Sequence, residues 1–211
     1  MGTIVITGIC IAITLYFLVT QIWGSMTYRV KGQMAEIARD LDGTLVDDST
    51  LFSGPNVSVS CTRDGYALSI RVYRSGGGGG RGRDSNFSIT IKSFPSDKRF
   101  SVSKAFSWAW WEYFARGHSE KNTIFVKVLS AKISISGDDR EYFAQILREH
   151  GKVQSAVHAI LAERRQGGFG VSSRELRSIK TFHRRDTDPH RVRELVRAFA
   201  DIAAACACGD S

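Results

Sequence analysis

The first 25 residues contain no Lys, Arg, Asp or Glu. Thr3 to Trp23 is therefore an uncharged run of 21 residues, close to the roughly 20 that a helix rising about 1.5 Å per residue needs to cross a bilayer core of about 30 Å. No basic residue precedes the run, and Trp23-Gly24-Ser25-Met26 is a poor small-residue cleavage site, so an uncleaved anchor is expected rather than a signal peptide. Cysteine is scarce as well. Cys10, Cys61, Cys206 and Cys208 are too few and too unevenly placed for a disulfide framework, which favours a reducing compartment. The chain also lacks the Gly-Lys-Ser/Thr of a P-loop, the H-E-x-x-H and H-x-x-E-H metal spacings, a G-x-S-x-G elbow and the kinase set, so no stretch names a reaction.

What is present begins with the reading of that run as a transmembrane anchor over residues 1–25. Arg29, Lys31 and Arg39 follow it closely, and the positive-inside rule then places the N-terminus outside and the rest in the cytoplasm, as in a single-pass protein of a bacterial inner membrane. Trp23 and Tyr28 suit the headgroup boundary, with Arg29 and Lys31 beside them as membrane-interface residues. Gly8 and Ala12 form a small-xxx-small pair that would let two spans pack as a weak homodimer.

From Met26 to Leu41, apolar residues recur at Met26, Val30, Met34, Ile37 and Leu41, which is helical spacing. Residues 26–42 therefore read as a juxtamembrane amphipathic helix, lying on the membrane surface or packing as the first helix of the following domain. Residues 43–137 read as a β-rich antiparallel lobe. Val57–Cys61 and Tyr66–Tyr73 alternate around Arg63-Asp64-Gly65 as a hairpin, and Phe87–Lys92, Phe100–Val102, Thr123–Leu129 and Lys132–Ser136 continue the pattern. Residues 138–211 read as a mainly helical lobe packed on it. A D-x-x-E capping box at Asp138 to Glu141 opens one helix, Gly151 separates a second, a weakly patterned strand pair lies near Phe169–Val171 and Leu176–Phe182, and Asp188-Pro189 starts an amphipathic terminal helix. The expected fold class is α+β, with one N-terminal transmembrane helix ahead of the domain.

Two stretches stand out. Ser75 to Arg83 holds five consecutive glycines beside Arg81 and Arg83; without a helix to aim its amides it reads as a hairpin loop and not a phosphate cradle. Phe106 to Phe114 contains Trp108, Trp110 and Trp111, readable as a membrane foot, a partner-binding patch, or an aromatic element lying over the sheet. The five histidines and the Cys206-Ala207-Cys208 pair complete no ligand set, and the adjacent acids Asp138 and Asp139 are explained by a helix start. No catalytic, cofactor-binding or metal residues are assigned, and no cofactor is expected.

The net charge of +8 favours anionic partners. It is spread along the chain, with 16 basic against 10 acidic residues over 26–137 and 13 against 11 over 138–211, so nucleic acid is not the expected partner. The reading that follows is a membrane-anchored, non-catalytic interaction or scaffold module whose partners are the lipid bilayer and a membrane-associated protein. The alternative is a membrane-tethered hydrolase or transferase on an anionic substrate, its site assembled from residues distant in sequence.

Overall fold

The computed structural model describes residues 2–50, 54–74, 85–105, 123–162 and 168–209; the side chains of 2–6, 18–26 and 184 stand outside that description. Helix α1 runs unbroken from Gly2 to Asp40. Towards its C-terminus Val30, Met34, Ile37 and Ala38 are buried against the sheet and the C-terminal helix. Of the two readings of 26–42, packing as the first helix of the domain is the one observed.

The expected transmembrane helix is not supported. Among the described residues no helix is long and apolar enough to cross a membrane. The uncharged portion whose side chains are described, residues 7–17, is exposed throughout.

The rest of the fold is α+β with antiparallel strands, as expected. Strands β1 (Thr44–Asp47), β2 (Val57–Arg63), β3 (Tyr66–Arg74), β4 (Ser85–Lys92), β5 (Phe100–Lys104), β6 (Thr123–Val128), β7 (Ala131–Ser136), β8 (Phe169–Ser172) and β9 (Glu175–Thr181) form one sheet. Its order is β1-β2-β3-β4-β9-β8-β5-β7-β6. The β8–β9 hairpin, from late in the chain, joins β4 to β5. Asp64 and Gly65, at φ 51° and 83°, make the tight β2–β3 turn; only glycine takes the second of these at no steric cost.

Among the described residues, helices α2 (Arg140–Glu149), α3 (Gly151–Leu161) and α4 (Pro189–Gly209) accompany α1 and the sheet. The core runs between them and the sheet. Phe100 stacks on Phe143 at 4.3 Å, Phe143 meets Phe169 edge-on at 6.0 Å, and Phe169 lies 6.3 Å from Phe199. At the start of α2 the expected capping box is absent. Asp139 is the N-cap without a side-chain cap bond, because its carboxylate accepts the Arg99 backbone N–H at 2.8 Å instead. The start of α4 follows expectation: Asp188 accepts the Arg191 N–H at 3.2 Å with Pro189 in the first turn.

Candidate membrane and partner interface

Ile9, Ile11, Ile13, Leu15, Tyr16 and Phe17 are each more than half exposed on α1. These positions go right round the helix, so the apolar surface is a cylinder and not a stripe. A helix that is apolar all round belongs inside an apolar medium. Thr14 donates its hydroxyl to the Cys10 carbonyl at 2.8 Å, which keeps that polar group off the apolar surface.

Below this segment the helix enters the domain. Tyr28 is 75% exposed and Arg29 is exposed beside it. Lys31 donates to Asp47 at the end of β1, 2.6 Å away. That bond, with a second from the Ser49 N–H at 3.0 Å, lowers the Asp47 carboxyl to about 2 and raises the Lys31 ammonium above its ordinary value. Lys31 is half exposed, so solvent screens the pair and it adds little to stability. Two residues on, Gln33 accepts the Thr187 hydroxyl at 2.7 Å, which ties α1 to the 3-10 turn Arg184–Thr187. That turn is itself held from within: Asp186 is buried against the Lys180 ammonium and accepts the His183 N–H at 2.6 Å.

Of the residues expected at a membrane interface, the structure brings Tyr28, Arg29 and Lys31 together at the base of α1. Trp23 lies in α1 with its side chain outside the described set, and Trp108, Trp110 and Trp111 lie outside the described residues. The Gly-rich loop over 75–84 lies outside them too. Sequence reasoning missed Asp47 and Thr187, whose roles depend on long-range pairing that no local pattern reveals.

Elsewhere the chemistry is sparse. A cavity of about 530 Å³ is lined by Arg185, Asp188, Arg191 and Glu194 with Ala159, Ala162 and Leu195. Its charges are two of each sign, so net charge selects neither an anion nor a cation. Burial pushes the Arg191 guanidinium below its ordinary value and raises the Cys61 thiol. Cys10, Cys61, Cys206 and Cys208 form no disulfide, and among the described residues no three His, Cys, Asp or Glu side chains converge as metal ligands.

No protein-family model matches the chain, and no curated protein matches it. Among solved structures it is similar to the crystal structure of the mycobacterial trehalose monomycolate transport factor A, TtfA, with a TM-score of 0.47 and 9% identity over 83% of this chain and 95% of that one.

Proposed function

We propose that this chain is a non-catalytic interaction module held at a lipid membrane by immersion of the apolar N-terminal half of α1. The observation that carries the reading is the uncharged, exposed cylinder at residues 7–17, built on the same unbroken helix whose other end is buried in the domain. Immersing its six large apolar side chains is worth on the order of 10 kcal/mol gross, before the cost of fixing the protein at a surface. A protein groove would cover one side of such a helix, whereas lipid covers every side. Immersion is what this surface calls for; crossing is not part of the proposal. Because α1 is continuous, the depth of the apolar segment also sets where the domain sits, which suits a module that presents a surface at a defined height.

The test is flotation of the full chain with phosphatidylcholine vesicles. The wild-type chain is expected to float, and Ile9→Asp/Ile13→Asp/Phe17→Asp to stay at the bottom with an unchanged circular dichroism spectrum. A wild-type chain that fails to float sinks the reading.

A further inference from the structure

We infer that the outer face of the sheet, turned away from the helices, is a docking surface for an acidic polypeptide segment; the inference gives the interaction module proposed above its partner-binding surface and rests on that reading. Alternation decides which side chains stand there. Val59, Ile70 and Ile89 are core, so their neighbours along each strand point the other way. The ladders then align one row across all nine strands, from Thr44 on β1 through Ser69, Thr90, Arg177 and Ser101 to Thr123 on β6. Every member of that row except Arg177 and Gly170 carries a hydroxyl.

The same face is basic. Arg71, Lys92, Arg177, Lys127 and Lys132 are exposed on it, against Glu175 as the one acid among its described strand residues. Among the described residues none of the five cations is in an ion pair. Lys127 and Lys132 stand directly opposite each other in the β6–β7 ladder, and like charges so placed repel. An anion between them turns that repulsion into attraction. Arg71 is held in place by its Nε and Nη2, which donate to Asn56 Oδ1 at 3.3 and 3.0 Å, so its guanidinium meets a carboxylate at low entropic cost. The helix side differs, for there Lys31, Lys180 and Arg193 each face an acid: Asp47, Asp186 and Asp40.

The occupant follows from this chemistry. From Arg71 on β3 to Lys127 on β6 the strand order leaves six gaps of about 4.8 Å, or about 29 Å in all. An extended peptide of about nine residues, at about 3.3 Å each, spans that distance. Its carboxylates meet the cations, and the hydroxyls between them donate to carboxylate or carbonyl oxygens. The bond between the Ser101 and Ser136 hydroxyls, at 2.8 Å, uses one proton and leaves the other to donate. Single-stranded nucleic acid calls instead for bare rings on which bases stack. The two rings on this face, Tyr73 and Phe125, each already have a cation over them at 5.0 Å, from Arg71 and Lys132.

The test titrates the full chain onto immobilised poly-L-glutamate and, separately, onto single-stranded polyuridine, at low salt and again at about 0.5 M NaCl. The wild-type chain is expected to bind poly-L-glutamate more tightly than polyuridine and to release it at high salt. At roughly threefold for each exposed ion pair, Arg71→Gln/Lys132→Gln/Arg177→Gln should bind poly-L-glutamate about 30-fold more weakly with an unchanged melting curve. The variant Arg148→Gln/Lys152→Gln/Arg197→Gln removes the same charge from exposed positions on α2, α3 and α4 and should keep its binding. A wild-type chain that ignores poly-L-glutamate, or that prefers polyuridine, overturns the proposal. Equal losses in the two variants show a bulk charge effect and overturn it as well. Flotation keeps the two readings apart: a chain that floats with phosphatidylcholine vesicles but ignores poly-L-glutamate loses this surface alone, and one that binds poly-L-glutamate without floating overturns the membrane reading alone.

Discussion

Lys180 and Asp186 form an ion pair in which both side chains are nearly inaccessible, 7% and 1% exposed. Burying two charges costs several kcal/mol each, and the pair is tolerable only while both partners stay. Asp186→Ala should therefore cost about 3–5 kcal/mol by leaving an ammonium in the core. Adding Lys180→Met should recover most of that, less about 1 kcal/mol for the lost bond to the His183 N–H. Urea unfolding of the single and double variants separates the two contributions; a double variant no more stable than the single one would show that charge burial is not the cause. None of this was legible in sequence. His183-Arg184-Arg185-Asp186 reads as a charged loop, and alternation alone would put Ile179 inside. In the structure Ile179 is 41% exposed and Lys180 is buried, because Lys180 pairs with Phe87 across the ladder and lies 5.2 Å over its ring. The register of β9 follows Leu176 and Asp186, residues whose burial is a tertiary outcome.

At the scale of elements, the sheet depends on β8, which connects β9 to β5. Gly168, at its entrance, lies so close to β5 that an added Cβ would overlap the Val102 carbonyl oxygen. Backbone is in the way there, so no side-chain rotation relieves it. Gly168→Ala should cost more than about 2 kcal/mol, since β5 and β8 must separate. Gly151, which opens α3, has open space where its Cβ would go, and Gly151→Ala should stabilise by about 0.5–1 kcal/mol. Thermal melts of the two variants should shift in opposite directions; a shift in the same direction would argue against close approach at Gly168. The strands with strict alternation were readable from sequence, as was the Asp64-Gly65 turn. The β8–β9 hairpin was only faintly so, because its turn residues Ser173 and Arg174 both adopt positive φ without being glycine. Their conformation is held from outside, by the Arg174–Asp97 contact and by the Phe94 N–H on the Arg174 carbonyl at 2.7 Å.

At the scale of the molecule, α1 joins two segments that the sequence divided at residue 25. The loss of charge before Met26 was visible and its return after it was visible; that one helix would pass through the boundary without a break was not, since helical spacing on one side and uniform apolarity on the other look like different elements. The structure makes the division energetic instead. Residues 7–17 are exposed, so nothing described in the domain rests on them. By contrast Val30, Met34, Ile37 and Ala38 are core, and the three larger side chains alone are worth about 1.5–3 kcal/mol each on burial. That sum is a large share of the about 5–15 kcal/mol by which a domain is stable. A chain starting at Met26 should therefore fold, melt cooperatively and no longer float with vesicles. One starting at Gly43 should expose the surfaces of β2 and α4 that α1 covers, and should aggregate or melt without cooperativity. Circular dichroism melts and size-exclusion profiles of the two truncations decide the matter: a cooperative melt from the shorter chain would make the C-terminal part of α1 an accessory, and failure of the longer one would mean that the exposed half supports the fold and is not reserved for lipid.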